Sequence, residues 1–459
     1  MQIDPRDNVE VDLQTGHKIA LKDISEGENI IKYGFPIGHA TQNISKGESV
    51  HTHNLKTNLM NAVEYSYSPT VPTAFDCYGS RSFMGYIRED GSVGIRNDVW
   101  IINTVGCVNK IAQRLAQATG AESFPHPFGC SQLGDDMHNT QKVLKGMVNH
   151  PNAGGILVLG LGCENNNMEE FCRVLGRVNP DRVKFLNAQD SHNELVEGAK
   201  IIEQLQLYAD TFNRTEVPVS KLKVGLKCGG SDGFSGITAN PLVGRFSDRL
   251  IACGGSSVLT EVPEMFGAET LLMERCQNRE VFDKTVKLIN NFKEYFLRHG
   301  QVIYENPSPG NKSGGITTLE EKSLGCVQKG GRATVVDVLD IGDIITKNGL
   351  NLLNGPGNDI VAITNLMSAG VQLILFTTGR GTPVGAPVPT VKIASNDRLF
   401  ENKPNWMDFN AGSLLENKSM DEMAEKLFDY VIRVANGEQT KNEINGYKEI
   451  SIFKDGIIL

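Results

Sequence analysis

Short segments in which apolar and polar residues alternate occupy the first sixty residues of the chain. Segments 9–13, 18–21 and 29–33 are typical of strands, because successive side chains of a pleated chain point to opposite faces. Glycine-containing turns at 25–28 and 45–48 follow such segments. Residues 1–60 are therefore predicted to form a small β-rich domain.

From residue 83 onward, apolar runs of strand length alternate with segments of helical period. In the middle region this pattern predicts strands at 99–104, 155–161 and 183–186, a short strand ending near 124, and helices at 109–119, 140–149, 168–175 and 194–207. After residue 221 the pattern restarts, with strands at 222–226, 258–260 and 373–377 and helices at 241–252, 281–299 and 420–435. Such alternation indicates largely parallel sheets covered on both faces.

Residues 61–82 contain two prolines and many polar side chains without a sustained period, which is typical of a linker. We therefore predict a multidomain α/β protein. Its parts are a β domain at 1–60, a linker at 61–82, a middle α/β domain at 83–220 and a C-terminal α/β domain at 221–459.

The composition of the 459 residues, 40% hydrophobic and 22% charged, is that of a globular protein. A formal net charge of −9 without a Lys/Arg-rich block argues against a nucleic-acid partner, and no apolar run is long enough to span a membrane. The polar N-terminus does not resemble a signal peptide, so a cytoplasmic location is expected. Nine cysteines in such a chain are expected to be thiols or metal ligands rather than disulfides.

The glycine-rich segment 227–236 lies between a predicted strand and a predicted helix. Glycine lets a ligand approach the backbone, and the free N–H groups of such a turn suit an anion. Cys228 and Asp232 add groups that can bind a metal or transfer a proton. The alternative is a tight turn in which Cys228 is buried by packing.

A cysteine also follows a glycine in three loops of the middle region, at Cys107, Cys130 and Cys163. Each loop comes after a predicted strand or its glycine turn, where parallel sheets bind ligands. Such thiols suit an iron–sulfur cluster or one ligand of a single metal ion. For Cys107, the sequence does not distinguish a metal-ligand role from a packing role. Five further cysteines are interpreted as structural: Cys77, Cys172, Cys253, Cys276 and Cys326.

His51 and His53 close the predicted β domain. In a strand both imidazoles would project from the same face and supply half of a metal site. The alternative is one surface histidine and one hydrogen-bonded structural histidine.

Charged side chains lie in several other loops. Glu261 and Glu264 follow a predicted strand, and Lys312 lies in a turn-rich loop. Arg380 lies in a glycine loop after the predicted strand 373–377, where a guanidinium suits a bidentate contact with a carboxylate.

Common catalytic motifs are mostly absent. Residues 229–233 match G-x-S-x-G, but this short pattern arises easily in a glycine-rich chain and leaves the cysteine loops unexplained. There is no Walker A loop, no G-x-G-x-x-G after the first strand of either block and no C-x-x-C. The remaining groups favour metal-assisted chemistry on a polar acid substrate.

Nine segments resemble the altronate/galactarate dehydratase family, and together they extend over nearly the whole chain. They lie at 94–97, 104–109, 128–136, 160–166, 228–241, 261–267, 306–312, 320–325 and 377–383. The N-terminal unit, with residues 16–23 and its His51-Thr52-His53-Asn54 ending, resembles the small antifreeze-like (SAF) β-domain of that family.

The resemblance implies an iron-dependent hydro-lyase that dehydrates a sugar acid. D-Altronate would lose water across C2 and C3 to give 2-dehydro-3-deoxy-D-gluconate. The C2 proton is weakly acidic and the C3 hydroxyl is a poor leaving group, so both steps need charge stabilisation. The implied cofactor is Fe²⁺, with Mn²⁺ or another divalent ion as an alternative. The implied partners are a small sugar acid and a second copy in a homo-oligomer, expected to be a dimer.

The hypothesised roles within this family fall into three groups. The metal ligands are His51, His53, Cys130 and Cys228. The groups for proton transfer or its support are Asp232, Glu164, Glu261 and Cys163. The substrate-binding side chains are Ser231, Asn240, Lys312 and Arg380.

Other functions stay open at this point. The same fold suits galactarate or another aldarate as substrate, or sulfolactate elimination by a related lyase. A redox protein with an iron–sulfur cluster on the loop cysteines is a different class. A sugar-acid binding protein without turnover is disfavoured, because a binder needs few ionisable loop residues.

Overall fold

The structure is a computed structural model that describes residues 1–59, 64–70, 77, 81–416 and 418–457. Residues 61–63, 71–76 and 78–80 of the predicted linker lie outside this range. In the part of the chain described, no helix combines the length and the apolar character needed to cross a membrane.

The N-terminal unit consists of two small antiparallel sheets. Its strands are β1 Val9–Val11, β2 Lys18–Ala20, β3 Asn29–Lys32, β4 Phe35–Ala40, β5 Ser49–Val50 and β6 Leu55–Lys56. The sheet orders are β1-β2-β5 and β3-β4-β6. Alternate residues such as Val9, Ile30 and Val50 are fully buried between them, which explains the alternating pattern.

His51 and His53 do not lie in a strand, so the expectation that they share a strand face is wrong. β5 ends at Val50, and residues 51–54 form a turn in which the Asn54 amide donates to the His51 carbonyl at 3.0 Å. Within this turn His51 is half-buried and His53 is exposed.

The middle region contains a four-stranded parallel sheet. Its elements are β7 Ser82–Ile87, β8 Val93–Gly94, β9 Asp98–Asn103, α1 Asn109–Thr119, β10 Glu122–Ser123, α2 Gly134–Val148, β11 Ala153–Gly160, α3 Met168–Leu175, β12 Val183–Asn187, α4 Glu194–Ala209 and β13 Thr215–Pro218. The order β10-β9-β11-β12 is parallel throughout, and β13-β7-β8 is a separate antiparallel sheet. α2 begins at Gly134, six residues before the predicted helix at 140–149.

The C-terminal region is built on a seven-stranded parallel sheet of order β16-β17-β15-β14-β18-β19-β20. Its elements are β14 Lys223–Cys228, α5 Ala239–Ala252, β15 Ser256–Leu259, α6 Thr270–Met273, α7 Arg279–Arg298, α8 Pro309–Ser313, α9 Leu319–Cys326, β16 Val335–Leu339, β17 Gly349–Leu353, α10 Asp359–Ser368, β18 Leu373–Thr378, β19 Thr390–Ala394, α11 Asp397–Asn402, β20 Phe409–Asn410, α12 Met420–Ala435 and α13 Lys441–Ile444. The predicted α/β class with parallel sheets behind an N-terminal β unit is confirmed.

A buried ion-pair triad joins the N-terminal unit to α9. Glu321 Oε2 lies 2.8 Å from Lys18 Nζ, and Glu321 Oε1 lies 2.7 Å from Lys32 Nζ. Lys18 Nζ also donates to Thr317 Oγ1 at 2.7 Å. These side chains are almost completely shielded from solvent. Removal of one charge would therefore leave its partners buried and unpaired, which destabilises a protein strongly.

Cys77 and Cys253 form a disulfide, with their Cα atoms 4.9 Å apart. The expectation of thiols or ligands is therefore wrong for this pair. The physical reason is that residues 176 positions apart in sequence reach a separation that permits the bond.

Candidate active site

The loops that follow β14 and β18 lie side by side at the carboxyl edge of the large sheet. Cys228 and Thr377 are paired at the ends of these strands. Beyond them, the backbone amides of Gly379 and Arg380 both donate to the Gly230 carbonyl, at 3.1 and 3.0 Å. β14 continues through α5 to β15 on one side, whereas β18 is followed by β19 on the other. This is a topological switch point, the place where open parallel sheets bind ligands.

A cavity of about 590 Å³ opens at this edge. Asp232 and Arg380 from the two loops line it, together with Arg398 and Lys403 from α11 and the residue after it. Residues 13–15 of the N-terminal unit and 313–314 of the loop around α8 complete the wall. The three cationic side chains outnumber the two carboxylates of the lining, Asp232 and Asp397, which favours an anionic ligand. A second cavity of about 320 Å³ beside α7 is lined without any thiol or imidazole.

Asp232 is held by four hydrogen bonds. Its Oδ1 accepts from Ser235 N at 2.9 Å and from the Ser235 and Ser395 hydroxyls at 2.8 Å. Its Oδ2 accepts from Asn396 Nδ2 at 2.9 Å. Burial raises the pKa of Asp232, and the hydrogen bonds oppose that rise only in part. Position 379, which packs against Asp232 from the loop after β18, must be glycine, because a Cβ on Gly379 would lie 2.2 Å from Asp232 Cγ.

The predicted substrate-binding residues fall into two sets. Arg380 is exposed at the cavity, and its Nη1 donates to Ser313 Oγ at 3.1 Å. Lys312 is half-buried in α8, next to that wall. Ser231 is buried, and its hydroxyl has no hydrogen-bond partner among the described residues. Asn240 lies away from the cavity wall and accepts from Thr377 Oγ1 at 2.6 Å.

Cys228 lies at the end of β14 in a fully buried group with Glu264 and Cys326. Both sulfur atoms are 3.1 Å from Glu264 Oε2, and they are 3.4 Å from each other. Among the described residues, this is the group of three potential metal ligands whose atoms all lie within 4.8 Å of one another. Cys326 had been interpreted as a structural cysteine, and Glu264 had no assigned role.

Three buried lysines surround this group. Lys329 Nζ lies 2.9 Å from Cys228 Sγ, and Lys322 Nζ lies 2.8 Å from Glu264 Oε1. Lys227 pairs with Glu261 and, at 2.9 Å, with Asp359. The contact from Cys326 lowers the pKa of the Cys228 thiol to about 6, and the lysine ammonium groups act in the same direction.

Glu261 hydrogen-bonds to the backbone of Cys228. Its Oε2 accepts from the Cys228 amide at 2.9 Å, and its backbone has a left-handed φ of 71°. Burial, together with the charges of Cys228 and Glu264, raises the pKa of Glu261. A non-glycine residue in this backbone region is a sign of a functional constraint.

The donor set fits a divalent ion. Two sulfurs and one carboxylate oxygen are ligands that suit iron(II) and similar metals. The contact with Cys228 and burial raise the pKa of the Cys326 thiol, so ion binding has to displace its proton. With both thiols ionised, two thiolates and three carboxylates would be balanced by three lysines and one divalent ion. Lys322 binds one carboxylate oxygen of Glu264, so the other oxygen faces the sulfurs. Lys322 would thus be the outer group that orients Glu264 as a ligand.

The other predicted metal ligands do not belong to this group. His51 Nδ1 lies 2.8 Å from Thr317 Oγ1, and its ring contacts the His17 ring edge-on at 5.2 Å between centroids. Burial and the nearby Lys18 lower the pKa of His51 to about 4. His53 is exposed in the same turn, and Cys130 lies in a loop of the middle region.

Glu164 and Cys163 also lie in the middle region, at the end of β11. The Glu164 carboxylate accepts from Thr104 Oγ1 at 2.6 Å and from the amides of Leu161 and Gly162 at 3.0 and 2.6 Å. Burial raises its pKa and these hydrogen bonds lower it, with a net downward shift. Glu164 therefore stabilises the loop, while Cys163 is exposed at its tip.

Comparison with known proteins gives a consistent assignment. Three family models match: the altronate/galactarate dehydratase SAF domain at residues 2–58, the D-galactarate dehydratase/altronate hydrolase second domain at 85–210 and the D-galactarate/altronate dehydratase C-terminal domain at 219–458. An altronate dehydratase of Bacillus subtilis (strain 168) is 54% identical over 98% of this chain and 93% of its own length.

Two relatives from Escherichia coli (strain K12) are also similar. An altronate dehydratase is 51% identical over 98% of this chain and 93% of its own length. A galactarate dehydratase (L-threo-forming) is 33% identical over 92% of this chain and 86% of its own length. The resemblance inferred from the motifs is confirmed, and the chain belongs to the altronate/galactarate dehydratase family.

Proposed function

We propose that this chain is a hydro-lyase that removes water from D-altronate across C2 and C3 to give 2-dehydro-3-deoxy-D-gluconate. The observation that carries this proposal is the cavity at the β14–β18 switch point, where the carboxylates of Asp232 and Asp397 are outnumbered by three cationic side chains. The substrate assignment is supported by the altronate dehydratase relatives, which match nearly the whole chain at 54% and 51% identity.

The cavity suits a linear polyhydroxy acid. Arg380 is exposed and has a single side-chain partner, so its guanidinium is available for the substrate carboxylate. Lys403 and Arg398 are placed to hold hydroxyl groups further along the chain. The Ser231 hydroxyl has no hydrogen-bond partner among the described residues, but it is buried in the turn beside Asp232 and is not part of the cavity lining.

Asp232 is the group that we assign to the C2 proton. Its pKa is raised by burial, and a base works best when its pKa approaches the working pH. Its Oδ2 accepts one hydrogen bond, from Asn396, so lone-pair capacity remains on that oxygen. Glu164 and Glu261 have their carboxylates engaged by other groups, so they are assigned positioning roles.

The metal ligands that we propose are Cys228, Glu264 and Cys326, with Fe²⁺ as the ion and Mn²⁺ as the alternative. When bound, such an ion supplies Lewis-acid stabilisation of negative charge. The chain's own lysines contribute independently, because Lys322 and Lys329 keep the carboxylate and thiolate partners charged in a buried environment.

The test is an anaerobic assay of purified protein with ferrous iron, in which 2-keto acid formation from D-altronate is followed. Galactarate and (2R)-sulfolactate serve as comparison substrates, because relatives named for them match at 33% and 31% identity. Keto acid from altronate at a much higher kcat/KM than from the other two is the expected result. Turnover of galactarate in preference to altronate would overturn the substrate assignment.

A further inference from the structure

Three glycine–cysteine pairs lie at one edge of the middle sheet. Cys107 follows β9, Cys130 follows β10 and Cys163 follows β11. These strands are adjacent and parallel in the order β10-β9-β11, so their carboxyl ends point to the same edge. This edge is where a parallel sheet presents ligand-binding loops, and the proposed dehydration site does not use it.

Backbone contacts lock the three loops together. The Gly106 amide donates to the Phe128 carbonyl at 2.9 Å, which joins the first loop to the second. The Asn166 amide donates to the Gly129 carbonyl at 3.0 Å, which joins the third loop to the second. The glycines are needed for this approach, because a Cβ on Gly129 would lie 2.0 Å from the Thr104 carbonyl oxygen.

Side-chain contacts link the same loops at the cysteines themselves. Asn165 Oδ1 lies 3.4 Å from Cys130 Sγ and accepts from the Ser131 amide at 2.8 Å. Gln189, in the loop after the neighbouring strand β12, donates to Cys163 Sγ at 3.5 Å. The third loop therefore contacts the Cys130 sulfur through Asn165, which lies two residues after Cys163.

The three thiols are accessible but are not arranged for a single ion. Cys107 and Cys163 are exposed and Cys130 is half-buried. They do not form a group whose ligand atoms lie within 4.8 Å of one another, as Cys228, Glu264 and Cys326 do. A cluster of several irons attaches each cysteine to a different iron, so its ligands are spaced more widely than those of one ion.

We propose that Cys107, Cys130 and Cys163 hold an iron–sulfur cluster of the [4Fe–4S] class, with one iron left without a protein thiolate. Each thiol releases its proton as its sulfur binds iron. Cys107 and Cys163 are exposed, so a cluster held there would be accessible from solvent. The Gln189 side-chain amide, which donates to Cys163 Sγ, would remain beside the bound sulfur, where a hydrogen bond adjusts the cluster. The Cys130 thiol would give up its hydrogen bond to Asn165 Oδ1 when it loses its proton.

The test uses full-length protein purified and reconstituted anaerobically with ferric iron, sulfide and a thiol reductant, which supplies the two electrons that a [4Fe–4S]²⁺ cluster needs. Iron and acid-labile sulfide per chain, visible absorption, and electron paramagnetic resonance after reduction are measured. The wild type is expected to hold labile sulfide, and Cys107→Ser, Cys130→Ser and Cys163→Ser are expected to lose nearly all of it. Cys172→Ser, a thiol on α3 in the same region, is the matched control and should retain it.

Two further measurements separate this proposal from the others. Cys228→Ser should keep its labile sulfide whether or not altronate is a substrate, because its thiol belongs to the buried group. Alkylation of the reconstituted wild type should spare Cys107, Cys130 and Cys163 and label them after removal of iron, which needs no variant to fold. Wild-type protein without labile sulfide, or sulfide retained in all three serine variants, would overturn the cluster.

Discussion

The sulfur atoms of Cys228 and Cys326 lie 3.4 Å apart, although 98 residues separate them in the chain. Both contact the same oxygen of Glu264 at 3.1 Å. Cys228 ends a central strand and Cys326 ends α9, so the large sheet and the helix that binds the N-terminal unit meet at these two thiols. Because both sulfurs converge on one carboxylate oxygen, a change at either thiol is expected to reduce metal binding.

Cys326→Ser is expected to reduce iron retention at this buried group and to lower altronate turnover by at least about 10–100-fold, the range found when only an outer group that supports a metal ligand is lost. Iron content after gel filtration and kcat are the measurements. Cys276→Ser is the control, because Cys276 is also buried but contacts Thr285 Oγ1 at 3.4 Å rather than another thiol. Equal iron content in both variants would count against Cys326 as a ligand.

Arg380→Gln should raise KM for altronate by about 10–100-fold, because a hydrogen bond to a charged group contributes about 1.5–3 kcal/mol. Its kcat should change less, since the guanidinium binds the substrate carboxylate in the ground state and the transition state alike. Arg433→Gln is the control, because Arg433 is exposed and pairs with Glu438 at 2.8 Å, outside the cavity lining. An unchanged KM in Arg380→Gln would remove this residue from the substrate site.

Asp232→Asn tests the proton-transfer role. Loss of a general base is expected to lower kcat by about 10²–10⁴-fold. Ser395→Ala, which removes one hydrogen bond to Asp232 Oδ1, is the comparison variant. It should shift the pKa seen in the kcat profile upward, because a donor that favours the carboxylate is lost. A parallel loss of kcat in both variants without any pKa shift would indicate that Asp232 only shapes the loop.

The sequence predicted those features whose signals are local. α1 and α3 were predicted at both ends because a glycine follows each helix at positions 120 and 176, where it ends the regular pattern. Asp232 and Arg380 could be named because both lie in glycine loops after apolar strands. α2 was predicted to start too late because Gly134-Asp135-Asp136 is typical of a turn, whereas its carboxylates stabilise the first helical turn.

The buried thiol group could not be predicted in the same way. Cys326 lies near the end of a short helix that is buried on all sides, so periodicity does not distinguish a ligand from a packed side chain. Its partner is set by the packing of α9 against the end of β14, which a pattern within one segment does not encode. The available signal was chemical: Glu261 and Glu264 follow an apolar strand, and Lys322 and Lys329 flank the segment that contains Cys326.

Glu321→Gln should weaken the junction between the N-terminal unit and α9. The neighbouring Lys18 and Lys32 lower the pKa of Glu321 to about 2, although burial alone would raise it. Removing this charge leaves two buried ammonium groups unpaired, which typically costs about 3–5 kcal/mol. Denaturant unfolding measures the loss, and Glu28→Gln, at an exposed pair with Lys22, is the control that should change stability little.

Lys392→Met should stabilise the protein near neutral pH. Lys392 Nζ is buried, has no hydrogen-bond partner in the part of the chain that the structure describes, and lies 3.7 Å from the centre of the Phe376 ring. Burial lowers its pKa from 10.5 to about 7, so the unfolded chain binds the proton more tightly than the folded one. Stability therefore rises with pH between about 7 and 10.5, and the penalty is complete below about pH 7.

The pKa shift of Lys392 corresponds to about 2–5 kcal/mol at pH 7, so Lys392→Met should raise the free energy of unfolding by that amount. This gain should shrink steadily toward pH 10. Denaturant unfolding of wild type and variant at several pH values measures the difference. Lys110→Met is the control, because Lys110 is exposed on α1 and its ammonium has access to water in both states. A gain that stays constant over this pH range would mean that the side chain is charged in the folded protein, with Phe376 and the distant carboxylates of Asp359 and Asp408 supplying enough stabilisation to keep the proton.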